Sequence, residues 1–293
     1  MEVREMIATM KRAAGAVALA TLLGLTVSAC TRTTQSMVPA HDNLNATLWM
    51  QQSVEFQGTA RAAYALAALR LEQALADRTW TAVPEEQGSD YAARPPAIIV
   101  DIDETVLDNS RYQAWLTLNG QTFSQESWAR FCHARISTPV AGSVEFLRQA
   151  EGRGVKVFYI SNRTADLEES TRANMARFGY PLGGNVDTFL MARERPDWGS
   201  AKSTRRAHVA RDYRVLLNIG DNFGDFTDAY RGSAADRQKV MDADVARIGR
   251  QWIFLANPSY GSWESAPFGH DFKKQAEEQR AAKRAALDAW DGK

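Results

Sequence analysis

Residues 97–109, AIIVDIDETVLDN, run a string of β-formers straight into two aspartates two positions apart. A buried strand that ends here delivers both carboxylates to the place where a sheet meets solvent. That layout suits phosphoryl transfer. Asp101 is placed to attack a phosphorus atom and Asp103 to move a proton, and together they carry enough negative charge to require a divalent cation. The pattern alone leaves other readings open, since D-x-D also occurs in nucleotide-sugar transferases and on solvated strand edges.

Three further segments follow in the order that one site needs. Residues 155–162, VKVFYISN, form a second apolar run ending in Ser161 and Asn162. Lys202 stands in SAKSTRR at the expected start of a helix, and residues 215–226, VLLNIGDNFGDF, form a third run ending in Gly220, Asp221 and Asp225. Singly, each has an ordinary reading: Ser161 as a helix N-cap, Lys202 as one cation of a solvated basic face, Asp221 as a turn former. Together, strand ends carrying D-x-D, Ser and G-D-x-x-x-D, with a Lys before the last, converge on one crevice. Ligands of open parallel sheets bind there, outside the carboxyl ends of the strands.

The remaining pattern agrees with such a sheet. Residues 31–43 are polar, carry Pro39 and read as a tether; residues 45–78 have apolar positions at helical spacing without Pro, giving one long helix or two shorter ones. A turn-rich stretch over 81–96 ends at Pro95 and Pro96. Strands are then expected at 97–102, 155–160, 186–190, 215–219 and 251–255, and helices within 110–150 and at 167–178, 201–212 and 226–230. This alternation predicts a parallel sheet wrapped by helices. Residues 271–290, dense in Lys, Glu, Arg and Ala, read as a surface helix. The first two catalytic strand ends are about sixty residues apart, longer than an ordinary crossover requires.

These motifs resemble the haloacid dehalogenase superfamily of phosphatases, and more closely its class C bacterial acid phosphatases, which are cell-envelope lipoproteins. The segment NPSYGSWE at 257–264 and the terminal AWDGK at 289–293 are similar to the family as well, so the likeness spans nearly the whole chain after its first thirty residues. It implies an α/β fold: a Rossmann-like parallel sheet flanked by helices, with a small helical accessory or cap domain. The core would cover 94–264, with a cap insertion at about 108–140 forming an aromatic-rich wall. Helices of 44–80 and 265–293 would complete the accessory part.

The resemblance also implies the chemistry. Mg²⁺ would be held by the carboxylates of Asp101 and Asp221 and the backbone carbonyl of Asp103, with Asp225 in the outer shell. Asp101 would form an aspartyl-phosphate, and Asp103 would act as acid and then base, which favours acidic pH. Ser161, Asn162, Arg163 and Lys202 would stabilise the transferring oxygens. Tyr112, Trp128 and Tyr260 match positions where the family's aromatic side chains flank the leaving group. The implied substrates are phosphomonoesters, above all 5′-nucleotides including nicotinamide mononucleotide, and similar proteins form homodimers. The competing readings are a non-catalytic surface lipoprotein that binds haem or another ligand, and a phosphotransferase using the same intermediate.

The first thirty residues read as a targeting segment. Lys11 and Arg12 precede an uncharged stretch over 13–29 that ends in Val27, Ser28, Ala29 and Cys30, a lipobox. Cys30 would become the acylated new N-terminus; a retained signal anchor is the other reading of a stretch this short. Thr31, in place of Asp, points to an outer-membrane lipoprotein facing the periplasm, by resemblance to Gram-negative lipoproteins. Only Cys132 then remains, so no intramolecular disulfide is expected. After removal of 1–29, 32 basic side chains face 33 acidic ones, which gives no electrostatic footprint for a nucleic-acid polymer. The four histidines lack metal-ligand spacing, and Cys132 reads as a small buried hydrophobe.

Overall fold

The computed structural model describes residues 41–292. Cys30 and the whole lipobox lie outside the described residues, as does the tether up to residue 40. The strands are β1 Pro96–Val100, β2 Leu107–Asp108, β3 Thr138–Pro139, β4 Lys156–Thr164, β5 Phe189–Ala192, β6 Arg214–Gly220 and β7 Trp252–Phe254. Five of them form one parallel sheet in the order β5-β4-β1-β6-β7. The chain lays β4 and β5 on one side of β1, then crosses back to lay β6 and β7 on the other. This makes β1 the switch point of the topology, with a crevice beyond its carboxyl end.

The runs are largely apolar at their centres because helices cover both faces of the sheet. Ile98 and Val100 of β1 pack with Val157, Tyr159, Leu217 and Ile219 against α2 (Val54–Ala76), through Ala60, Tyr64, Ala67, Leu71 and Ala74. Alternate residues face the other way. Ala97, Ile99, Phe158, Ile160 and Val215 pack against Trp198 and against Val209 and Ala210 of the helix Ser203–Asp212. Helix α2, grouped with an accessory domain in the sequence reading, thus shares the sheet's own apolar cluster. It is separated from α1 (Leu44–Gln52) by Ser53, whose extended backbone and side chain, accepting from Phe56 N at 3.0 Å, cap the second helix.

Between β1 and β4 the chain makes an excursion. β2 and β3 pair antiparallel, Leu107 with Pro139 and Asp108 with Thr138, and close off α3 (Ser110–Leu118) and α4 (Gln125–Ala134). Their facing sides form a separate cluster of Tyr112, Leu116, Trp128, Phe131 and Cys132, closed by Leu167 from the turn after β4. α5 (Ser143–Gly152) then leads into β4, and α6 (Glu168–Ala176) and α7 (Ser203–Asp212) follow β4 and β5.

Some elements differ from expectation. β4 runs on to Thr164, which carries Ser161 and Asn162 inside the strand instead of at a helix N-cap. The helix expected at 226–230 is a 3₁₀ turn over Asp228–Arg231, and α8 (Ala234–Ala243) comes after it, with Ser233 accepting from Asp236 N at 3.2 Å. α8 buries none of its residues, so it has no apolar period by which to be read. Two more helices close the described chain, α9 (Ser262–Ser265) and α10 (Ala276–Ala285), the latter shorter than the 271–290 expected. Among the described residues no helix is long and apolar enough to cross a membrane.

Candidate active site

The site is built where β1 and β6 end side by side. Asp101 still belongs to the sheet, its N–H donating to Ile219 O at 2.9 Å. The chain then folds back tightly: Glu104 N donates to Leu107 O at 2.8 Å and Val106 N to Ile102 O at 3.0 Å, with Glu104 at φ 56° in the left-handed region. This turn buries Thr105 beneath the carboxylates. Its hydroxyl stands 3.1 Å from Asp221 Oδ1 and 3.4 Å from Asp101 Oδ2, so one proton serves two acids.

At the end of β6, Gly220 is required by space, since a Cβ there would lie 2.2 Å from Asp225 Oδ2. The following turn holds Asp225 in place: Oδ2 accepts from Asn222 N at 2.9 Å, and its carbonyl accepts from Asn218 Nδ2 at 2.8 Å. Asn257 Nδ2 donates to Asp221 Oδ2 at 2.8 Å. Lys202 stands at the position just before α7 and is buried. Its Nζ donates to Asp101 Oδ1 and, at 2.6 Å, to Asp225 Oδ1. Arg205, one turn on, fastens that helix to β4 by donating to Ser161 O at 2.5 Å, Asn162 Oδ1 at 2.6 Å and Gly199 O at 2.9 Å.

One oxygen from each of Asp101, Asp221 and Asp225 lies within 4.8 Å of the others. Burial pushes the Asp101 carboxyl up to about 7; Lys202 opposes the rise, and Asp225 and Asp103 add to it. Burial likewise holds Asp221 well above the carboxylate range, reinforced by Asp225, Asp101 and Glu104. Fully ionised, the three acids would carry more negative charge than one ammonium offsets, which is why protons are held there. A divalent cation among these oxygens would offset the surplus and return both groups to the ionised form, so the residues present fit a metal.

Asp103 is placed differently. Its Oδ1 accepts from Asn109 Nδ2 at 2.7 Å, Arg163 Nη2 at 2.8 Å and Arg163 Nε at 3.0 Å, while Oδ2 has Arg163 Nε at 3.3 Å. The side chain keeps 19% exposure and that of Arg163 only 1%. Arg163, expected to bind substrate, is thus engaged inside the protein. It also donates to Thr171 Oγ1 at 3.0 Å and lies 5.2 Å over the Trp128 ring. A cation buried this deeply takes the nearest carboxylate, because leaving either charge unpaired would be costly.

The other expected residues divide. Ser161 is fully buried and accepts from Arg163 N at 3.0 Å, which leaves its own proton to donate. Asn162 is exposed, and its amide bridges Arg205 and, at 3.1 Å, Ser200 O. Tyr112 is 2% exposed, ringed by Trp115, Phe123, Trp128 and Phe131, with its hydroxyl 2.8 Å from Ser127 Oγ; it is packed as core and not presented to a ligand. Trp128 is buried beside it, between Phe131 and Arg163. Tyr260 alone of the three is partly open, and its hydroxyl donates to Glu104 Oε2.

Sequence reasoning did not assign Glu104, Thr105, Asn109, Asn257 or Arg205. Glu104 and Thr105 directly follow the D-x-D pair and Asn257 opens the NPSY segment, but no spacing told what each would face. A cavity of about 760 Å³ lies elsewhere, between α1, α2 and the β2–β3 ribbon; neither the aspartates of the cluster nor Lys202 nor Tyr260 lines it.

Residues 8–263 match a family model described as HAD superfamily, subfamily IIIB (acid phosphatase). Among solved structures, the class C acid phosphatase from Bacillus anthracis is 31% identical, with a TM-score of 0.75 over 85% of this chain and 98% of that one. The same Bacillus anthracis protein with tungstate bound matches at 31% identity, the same coverage and a TM-score of 0.75.

Proposed function

Because the chain belongs to the acid phosphatases of HAD subfamily IIIB, which are phosphomonoester hydrolases, we propose that it is an Mg²⁺-dependent phosphatase of 5′-nucleotides, nicotinamide mononucleotide included, held to the cell envelope by a lipid on Cys30. The observation that carries the chemistry is the cluster of Asp101, Asp221 and Asp225 oxygens with Lys202 between two of them. Mg²⁺ would be held by the Asp101 and Asp221 carboxylates and the Asp103 carbonyl, and when bound it supplies the positive charge that lets an anionic nucleophile approach a phosphate ester. Asp225 is assigned to the outer shell, where it accepts from Lys202 Nζ and Asn222 N and orients the lysine.

Asp101 attacks phosphorus as the phosphorus bond to the leaving oxygen breaks, giving an aspartyl-phosphate. Asp103 gives its proton to the leaving alkoxide and then takes one from the water that hydrolyses the intermediate. That proton sits on Oδ2, because Oδ1 already accepts from three donors at 3.0 Å or less. Arg163 and Asn109 aim the carboxyl; Ser161 and Lys202 face the phosphoryl oxygens. The binding of tungstate, a tetrahedral oxyanion, by the similar Bacillus anthracis protein supports a phosphate pocket of this kind.

Tyr260 offers an aromatic face for a base or nicotinamide ring. Phosphate release from a panel of nucleoside monophosphates and from glycerol phosphate, with and without EDTA, tests the proposal. Turnover that survives EDTA removes the metal, and equal specificity constants for nucleotide and glycerol phosphate remove the stacking. For the anchor, Cys30→Ser should release the protein from the membrane fraction; a variant that still sediments with membranes sinks that part.

A further inference from the structure

Glu104 is a buried acid that no step above uses. It is 1% exposed and sits in the left-handed backbone region at φ 56°, a conformation unfavourable for a side chain with a Cβ. Its carboxylate spans two parts of the site: Oε1 accepts from Asn109 N at 2.9 Å, at the base of α3, and Oε2 accepts from the Tyr260 hydroxyl. Asn109 in turn holds Asp103 at 2.7 Å. Tyr260 lies on an irregular segment between β7 and α9. That segment is tied at its root by Asn257, which bonds Asp221 at 2.8 Å and accepts from Ser259 N and Tyr260 N at 2.9 and 3.3 Å. The bond to Glu104 ties its tip.

We infer that Glu104 is a positioning residue that fixes the Tyr260 ring beside the reacting aspartates and so makes the site favour substrates with planar leaving groups. The inference rests on the stacking role given to Tyr260 under the proposed function. Physically, an aromatic side chain on a loop loses rotamer freedom when a ligand stacks on it, and a ring already immobilised by its hydroxyl has met that cost before substrate arrives. Glu104 can do this while touching no substrate atom, and because it belongs to the D-x-D turn, the ring is registered to the nucleophile.

The experiment compares KM and kcat for adenosine 5′-monophosphate and glycerol phosphate in wild type, Glu104→Ala, Glu104→Gln and Tyr260→Phe. Loss of one such hydrogen bond should raise the nucleotide KM about tenfold more than the glycerol phosphate KM, both in Glu104→Ala and in Tyr260→Phe. Glu104→Gln should keep the wild-type preference, since its amide can accept from Asn109 N–H and donate to the Tyr260 oxygen. Unchanged preference in Tyr260→Phe, or in a folded Glu104→Ala, overturns the inference, as does an equal loss for both substrates. If Glu104→Ala does not fold, Tyr260→Phe removes the same bond and decides alone. A wild-type enzyme with no nucleotide preference is a separate result: the stacking reading fails first and takes this inference with it.

Discussion

Replacing Lys202 by methionine tests the charge balance of the site. The ammonium contacts Asp101 Oδ1 and Asp225 Oδ1, and the side chains of all three residues are at most 9% exposed. Removing one partner of a buried ion pair costs about 3–5 kcal/mol because the other charge is left without compensation. The lower end applies here, since Asp101, already pushed up to about 7, can take up a proton. For a chain of this size such a loss lowers the melting temperature by roughly 10 °C. The larger effect is on the nucleophile. Lys202 is the cation that opposes the rise at Asp101. Without that ammonium, keeping Asp101 ionised falls to the metal alone, and the transferring phosphoryl oxygens lose a cation. Turnover of a nucleoside monophosphate at saturating Mg²⁺ should therefore fall about a hundredfold, the usual cost of losing one donor to a transferring group, and the optimum should move to the alkaline side, since Asp101 loses a cation that favours its ionised form. Steady-state phosphate release over pH 5–9, with circular dichroism to confirm the fold, measures both. A Lys202→Met protein with kcat within threefold of wild type and the same optimum refutes the reasoning.

Three further outcomes are expected. In EDTA the melting temperature should be higher at pH 5 than at pH 8. Asp101, ordinarily near 3.8, is pushed to about 7 and Glu104, ordinarily near 4.5, to about 8, so the folded chain keeps protons that the unfolded chain has lost, and stability declines as pH climbs through that interval; a melting temperature that rises from pH 5 to 8 contradicts it. Arg163→Gln should lower kcat by roughly ten- to a hundredfold, through the mis-aimed Asp103, with little change in inhibition by inorganic phosphate; weaker phosphate inhibition would instead make Arg163 a phosphate ligand. The Cys132 thiol, pushed up to about 12 by burial, should resist iodoacetamide at pH 8 in the folded protein and react fully in guanidinium; rapid labelling of the native protein would show that α4 opens readily.

The parallel sheet was readable from the sequence because strands covered on both faces must be largely apolar, and 97–100, 157–160 and 215–217 are such runs. The polar residues that end them were readable for the same reason. Asp101 and Asp221 stand just past the ends of β1 and β6, beside the switch-point crevice, whereas Ser161 lies inside β4, which runs on to Thr164. Lys202 was readable from its place at a helix start between two of those strands. Other features depended on contacts that no local pattern records. Arg163 pairs with Asp103 across 60 positions, and Tyr260 bonds Glu104 across 156. Which of Tyr112, Trp128 and Tyr260 kept an open face depended on how α3 and α4 pack together, since an aromatic in an amphipathic helix fits a core as well as a binding wall. Thus residue type and period determined the scaffold and which strand ends carry the clustered acids. Tertiary structure decided which buried charge neutralises which other, because that choice turns on distances of a few ångströms between segments that meet only when the chain is folded.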